Sequence, residues 1–522
     1  MSDLLHQGCS YADLILRAIL RWGDRTAIID GGEQVSYRDF GRRLSRMIQA
    51  FDALGLKKGD GLAQLSANRI DAWTVMAACF CTGVRYAPLH PLGSIDDHAF
   101  IVEDAEVTTL VVDPANFADK GKELAARAPA LRNVLTLGKA AFGRDLLAET
   151  SKFDPAPVRP RVDADDLLFI AYTGGTTGRS KGVAHNHSSL VFNALQTLAE
   201  WDWPRPIRMV LAAPLTHSAG MMIAPIMLRG GVTILQPGFD PAAFVADVQK
   251  HRATATFLVP TMIYRLLDHP AATAEALKGL ELIVYGAAPI SPTRLAEAVR
   301  RYGPILMQAY AQYEAPNTLT VLPQQLHEPD AHPERLASCG APIAGMQLKL
   351  LGPDGEEVPP GEVGEICARG PLVMRGYWKR EDANAETLRG DWLHTGDLAR
   401  MDEDGFIYIV DRTKDMIVTG GFNVYPREVE DVLTSHPAVA AAAVIGVPDD
   451  DWGEAIKAVV VRKAGAKVEA EELIALVKAR KGSVAAPKSV DFADSVPVTA
   501  LGKPDKKALR ARYWAGRDRQ VG

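Results

Sequence analysis

The feature that most constrains this chain is one strand-to-loop transition. An apolar run, residues 167–171, reads as a buried strand. It passes directly into Tyr172-Thr173-Gly174-Gly175-Thr176-Thr177-Gly178-Arg179-Ser180-Lys181-Gly182-Val183, and residues 187–201 then read as a helix. Four glycines, three threonines and a lysine therefore sit where a strand turns over. Glycine tolerates positive φ and close approach, so backbone N–H groups can converge on an anion. The threonine hydroxyls add neutral donors and Lys181 a point charge. The chemistry is a grip on a polyphosphate. An ordinary surface loop shares this composition. The P-loop pattern is excluded, because Arg179 follows Gly178 where that pattern requires lysine.

Around this loop the chain alternates. Tyr11, Leu14, Ile15, Ala18, Ile19 and Trp22 fall at helical spacing, and residues 26–29 and 34–35 flank Gly31-Gly32 as a hairpin. Helical spacing over 40–51 and 70–81 alternates with strand-like runs at 62–65 and 109–112. After the loop, strands are predicted at 208–213, 232–235, 256–259, 282–285 and 305–308, with helices such as 244–251 and 295–302 between them. Such alternation in 522 residues predicts an α/β fold, with stacked, mostly parallel sheets in a large N-terminal domain. Beyond Gly340 glycine and proline become frequent and strands short, predicting a β-rich subdomain over about 340–413. Asp411-Arg412-Thr413-Lys414-Asp415 reads as a charged joint. The chain is accordingly divided into 1–413 and a small α+β domain, 414–522.

Apolar content of 47% and charged content of 23% fit a soluble globular protein. With 58 basic against 64 acidic side chains the net charge is −6, which argues against a nucleic-acid-binding face. Cys9, Cys79, Cys81, Cys339 and Cys367 are scattered and odd in number, so no disulfide framework is expected. Cys79 and Cys81 read as small apolar residues of a buried helix rather than as a metal pair. No run approaches a membrane span and no basic segment opens the chain, so a cytoplasmic setting without stable membrane insertion is expected.

Three further stretches are bland singly: Tyr310-Ala311-Gln312-Tyr313-Glu314 after a predicted strand, Thr395-Gly396-Asp397, and Gly502-Lys503 in a polar loop. With the glycine loop they form an ordered set. The set continues through Tyr285-Gly286-Ala287-Ala288-Pro289, Gly361-Glu362-Val363-Gly364-Glu365, Arg369-Gly370-Pro371 and Gly376-Tyr377-Trp378. It closes with Asp411-Arg412-Thr413-Lys414-Asp415 and Gly420-Gly421-Phe422-Asn423. Over nearly its whole length the chain thus resembles the adenylate-forming superfamily, in its acyl-CoA synthetase branch of AMP-dependent carboxylate–CoA ligases.

That resemblance implies activation of a carboxylic acid by ATP to acyl-AMP, then thioester formation with coenzyme A. It implies that Thr173, Gly174, Gly175, Thr176, Thr177, Gly178 and Lys181 hold phosphates, and that Thr177 and Glu314 lie at Mg²⁺. Gly286, Ala287 and Ala288 would line an adenine slot with Tyr310 stacked on the ring; Asp397 and Arg412 would hold the ribose. Lys503 would be the catalytic cation, Lys414 the hinge, and Gly420, Gly421 and Phe422 the coenzyme A face. His217 would gate the carboxylate, with Met221, Met222, Tyr264, Tyr285 and Gly286 as pocket walls. Two departures are noted: Ser180 replaces the usual proline, and Tyr313 replaces a threonine whose hydroxyl contacts the α-phosphate.

Amino-acid-activating relatives carry an aspartate where Ser218 stands, and a buried ammonium without a partner is costly. The expected acid is therefore hydrophobic, either fatty or aryl/cinnamic in type. Two other readings stay open, a stand-alone enzyme loading a carrier protein and a non-catalytic or oxidative relative. A homodimer is also compatible with the sequence.

Overall fold

The computed structural model describes residues 10–173, 180–412, 415–419, 422–449, 452–498 and 504–514. Two large sheets carry the first part of the chain. In the nine-stranded sheet, Leu306–Gln312, Leu282–Gly286, Ala255–Leu258, Arg208–Leu211, Val232–Leu235 and Thr26–Asp30 pair in parallel. Antiparallel strands finish both edges: Glu33–Ser36 on one, Ala315–Leu322 and Ala341–Pro342 on the other. The eight-stranded sheet has a parallel body, with Gly182–Asn186 antiparallel to Leu167–Tyr172 and Gly376–Tyr377 beyond it. The expectation of stacked, mostly parallel layers holds.

One apolar core joins the two sheets. It takes Val284 and Met307 from one, Tyr86 and Phe169 from the other, and the helices Tyr11–Trp22, Tyr37–Ala53, Ile70–Thr82 and Ser218–Leu228 from between. Every residue of Ile70–Thr82 except Asp71 is buried, Cys79 and Cys81 included, which explains why this helix shows no extended polar face. The opening helix starts on a reciprocal cap between Ser10 and Asp13 and buries Tyr11, Ile15 and Leu16. The outer face of the nine-stranded sheet has its own core, where Ile283 and Tyr285 meet the helices Pro241–Lys250, Pro260–Leu267 and Pro292–Tyr302. Alternation along one strand thus sends neighbouring side chains into different cores.

Three elements exceed the sequence expectations. The strand expected at 305–308 runs from Leu306 to Gln312, because Ala315–Leu322 folds back on it. Gly182–Asn186 is a strand where only loop and helix were read. Ser218–Leu228 is a helix despite Pro225, its apolar surround hiding any helical period.

The short strands after Gly340 form a five-stranded antiparallel sheet that includes Trp392–Met401 and Ile407–Arg412. The last five-stranded sheet is built on the antiparallel pair Val439–Asp449 and Gly453–Arg462, with the helices Pro426–Thr434 and Ala470–Ala485 packed in its core. Lys506, at the start of the helix Lys506–Ala511, is half-buried with its Nζ 2.9 Å from Glu430 and 4.0 Å from Asp411. Arg510 pairs with Asp415 at 2.9 Å. Lys414 and Cys9 lie outside the described residues. Cys79, Cys81, Cys339 and Cys367 are buried free thiols. Among the described residues no helix is long and apolar enough to cross a membrane.

Gly340 leads the chain into the edge strand Ala341–Pro342 at φ +90°, and a Cβ there would fall onto the Val321 carbonyl. Gly340→Ala is expected to cost ~4 kcal/mol of unfolding free energy, combining left-handed strain with an unrelievable backbone clash. Urea unfolding checks this; a loss below ~1 kcal/mol counts against the packing described.

Candidate active site

The site grows from the C-terminal end of Leu306–Gln312 and the turn that follows it. Ligands collect at such strand ends in open α/β sheets. Tyr310, near the end of this strand, donates its hydroxyl to Asp397 Oδ2 at 2.7 Å. Gln312 Nε2 donates to the same oxygen at 2.5 Å and to the Thr395 carbonyl at 2.9 Å. Arg412 Nε meets Asp397 Oδ1 at 2.9 Å from the neighbouring strand, where it lies directly across from Asp397. Two sheets thus converge on one carboxylate. The charge of Asp397 raises the Arg412 pKa further, so the guanidinium stays protonated. Burial first, and Asp397 second, drive the Tyr310 phenol far above its ordinary range, so it stays a donor.

The strand segment carrying Asp397 is braced from behind. Thr395 Oγ1 donates to the Ile366 carbonyl at 2.7 Å and accepts the Asp397 N–H at 3.1 Å. Glu365 Oε1 accepts the Gly396 N–H at 2.8 Å, and its other oxygen lies 2.7 Å from His394 Nδ1.

Beyond the turn, Glu314 Oε1 accepts the Tyr377 hydroxyl at 2.6 Å. Lys181 Nζ lies 4.8 Å from the centre of the same Tyr377 ring, a cation over an aromatic face. The Thr173 N–H donates to the Lys181 carbonyl at 3.1 Å, closing the base of the glycine loop. Residues 174–179 of that loop (Gly174, Gly175, Thr176, Thr177 and Gly178 among them) lie outside the described residues, as do Gly420, Gly421 and Lys503. Gly286 ends the strand beside Leu306–Gln312, Ala287 follows at φ +66°, and Ala288 is half-buried. A left-handed alanine is strained, and such strain gathers at functional sites. Phe422 is exposed, at 56%.

Next to this polar cluster lies an apolar cavity of about 20 Å³, room for roughly one water molecule. His217 and Met221 line it, with Tyr11, Phe80, Tyr86 and Phe169 among the remaining walls. His217 caps the helix Ser218–Leu228; Thr216 Oγ1 sits 2.9 Å from its Nδ1, and its ring stands edge-on to His90 at 4.4 Å and Tyr313 at 6.0 Å.

Several expected wall residues fall elsewhere. Tyr285 points to the opposite face of its sheet, its hydroxyl 3.2 Å from Gln308 and 2.9 Å from His327. Tyr264 accepts the Ser291 N–H at 2.7 Å in that same outer region. Met222, one position and about 100° around the helix from Met221, is packed in the core. Gly286 is sealed by the Ala309 carbonyl, onto which its Cβ would fall. None of these four lines the cavity. Tyr313 also moves: expected at the nucleotide, its ring is a cavity wall, while its carbonyl lies 2.7 Å from His185 Nε2.

Sequence reasoning passed over Gln312 and Thr395 as partners of Asp397. It quoted Tyr377 within Gly376-Tyr377-Trp378 without a role. The cavity aromatics carry no local signal, because they come from segments far apart in the chain.

Burial holds the site histidines neutral. It lowers the His217 pKa to about 3, with His90 adding repulsion, and lowers His90, His185 and His187 to about 4. Each free imidazole binds a proton near pH 6.5 once unfolded, so the unfolded state gains protons first as pH falls. Stability is therefore expected to decline from about pH 6.5 towards about 4, by up to about 1.4 kcal/mol per pH unit for each such histidine. Urea midpoints at pH 7.5 and 5.5 test this, with His217→Gln giving a shallower drop. Equal midpoints would contradict buried neutral imidazoles.

The family model described as AMP-binding enzyme matches residues 16–378, and that of the AMP-binding enzyme C-terminal domain matches 428–503. The chain is 44% identical to a medium/long-chain-fatty-acid–CoA ligase, FadD8, of Mycobacterium tuberculosis, over 100% of this chain and 93% of that one. It is 38% identical to a feruloyl-CoA synthase of an Amycolatopsis species, over 94% and 96%. Among solved structures, the amide bond synthetase McbA of Marinactinospora thermotolerans superposes with a TM-score of 0.89 at 34% identity, covering 96% of this chain and 99% of the other.

Proposed function

The chain belongs to the AMP-binding enzyme family, and from that premise we propose that it is an AMP-forming acid–thiol ligase acting on a hydrophobic carboxylic acid. A carboxylate is a poor electrophile. Its oxygen attacks the α-phosphorus of ATP, the bond to the β-phosphate breaks, and pyrophosphate leaves with the electron pair. The acyl-AMP then meets the thiol of coenzyme A; a C–S bond forms and AMP departs.

The observation that carries this reading is contiguity. The strand whose Tyr310 and Gln312 grip Asp397 leads directly to Tyr313, a wall of the apolar cavity. A diol-binding carboxylate and an acid-binding cavity thus sit within one turn of chain. Asp397 accepts the ribose hydroxyls, with Arg412 fixing its orientation. Tyr310 lies against the adenine, along the backbone at 286–288. Placement and charge neutralisation dominate transfer at phosphorus, so the first step rests on the donors of residues 173–181 and on Lys503. Glu314 fits Mg²⁺: one oxygen takes the Tyr377 hydroxyl, and the carboxylate remains a hard oxygen ligand, with Thr177 as the second protein donor. When bound, that ion neutralises phosphate charge.

His217, held neutral and fixed by Thr216, borders the acid carboxylate. We divide the chain at Lys414: residues 1–413 hold the nucleotide and acid, and 414–522 swing about that hinge. The swing withdraws Lys503 and brings residues 420–422 to the coenzyme A path. The reaction belongs in the cytoplasm, where ATP and coenzyme A are supplied.

The test is a panel of fatty and aryl acids with ATP, Mg²⁺ and coenzyme A, scored for pyrophosphate, AMP and thioester. Lys503→Ala is expected to lower adenylation about 10²–10³-fold while a supplied acyl-adenylate is still converted to thioester; equal loss of both halves would contradict the swing. Asp397→Asn should lower kcat/KM for ATP about 10–100-fold, the worth of hydrogen bonds to a charged group, with little change in KM for the acid. Absence of pyrophosphate release across the panel would sink the assignment.

A further inference from the structure

The cavity beside His217 is unusually aromatic, with Tyr11, Phe80, Tyr86, Phe169 and Tyr313 all on its wall. Some of the polar atoms on this wall have protein partners. Tyr11 donates its hydroxyl to the Met221 carbonyl at 3.3 Å, and His217 is met by Thr216. The Tyr86 hydroxyl is buried and has no hydrogen-bond partner among the described residues. Its side chain is 98% removed from solvent and held in place: Tyr86 lies across from Phe169 on the adjoining strand, and its ring stands edge-on to Phe80 at 6.3 Å. A buried hydroxyl without a partner keeps its full desolvation penalty. A water molecule relieves it poorly, because a trapped water needs two to four polar partners, and the surface this wall presents is mostly apolar. An oxygen carried in by the ligand would remove it.

We propose that Tyr86 is a specificity-determining residue, and that the acid is a flat aryl or aryl-alkenoic acid bearing a ring hydroxyl or ether oxygen that pairs with the Tyr86 hydroxyl. This rests on the acid-activating reaction proposed above. A saturated chain packs against the same wall but leaves the hydroxyl unpaired. Aromatic walls also favour a flat ring, through offset and edge-to-face contacts that an alkyl chain does not make. Entry requires the narrow cavity to open, and Tyr313, on the turn beside His217, is the wall nearest the reacting end.

The test compares wild type with Tyr86→Phe on cinnamic acid, its 3- and 4-hydroxy derivatives and decanoic acid. Both kcat/KM for thioester formation and equilibrium binding by calorimetry are measured. Wild type is expected to favour at least one hydroxylated acid over cinnamic acid by about 10-fold, the worth of one buried hydrogen bond. Tyr86→Phe should erase that preference through KM, with the loss confined mainly to the hydroxylated acids. The thermal midpoint should stay level or rise, since the lost hydroxyl had no protein partner. A preference retained in Tyr86→Phe overturns the proposal, as does a wild type that does not distinguish the hydroxylated acids or prefers decanoic acid. Should no acid release pyrophosphate, the ligase reading itself fails; calorimetry then decides the role of Tyr86 alone.

Discussion

Much of this molecule depends on the charge of Asp397 being shared among three donors. Tyr310 and Gln312 reach it from the end of a parallel sheet, and Arg412 from a separate antiparallel one. A buried carboxylate is tolerable only when its lone pairs are occupied and an opposite charge stands close. These bonds satisfy that condition and at the same time fasten the β-rich subdomain to the large layers. The brace from Glu365 and Thr395 extends the fastening backward, so the strand segment bearing Asp397 has little freedom of its own. A polar site of this kind specifies geometry more than it adds stability.

A second electrostatic cluster lies where the last sheet meets the rest of the chain. Lys506 is half-buried against Glu430 and Asp411, and Arg510 against Asp415. The attraction of Glu430 and Asp411 outweighs burial, so Lys506 keeps its proton far above the ordinary range for lysine. Asp411 precedes the proposed hinge and Lys506 follows it. Of these pairs only Lys506–Asp411 spans that hinge, so a swing of the tail must exchange it for another partner or for water, whereas Lys506–Glu430 and Arg510–Asp415 travel with the tail.

Most of the layered fold was legible from period and punctuation. Residues 26–36, 70–81 and 282–285 declared a hairpin, a buried helix and a core strand, because local pattern and tertiary demand agree there. The elements that escaped were decided by distant partners. Gly182–Asn186 is a strand because Leu167–Tyr172 and Gly376–Tyr377 flank it, and Ser218–Leu228 is a helix so thoroughly buried that its period vanishes. The polar half of the site was legible for a different reason: it lies in short, ordered motifs. The apolar half was not. Whether a tyrosine walls a cavity depends on which face of its strand it takes, and Tyr285 took the far face while Tyr86, unremarked in the sequence, took the near one.

The turn at Tyr313-Glu314 serves two masters. The strand entering this turn addresses the carboxylate at 397 through Gln312, and the very next residue, Tyr313, closes the greasy chamber. Altering the turn to reshape the chamber would disturb the grip on Asp397 in the same stroke. The helix faces bearing Met76, Phe80 and Met221 also line the chamber and stand apart from that shared turn.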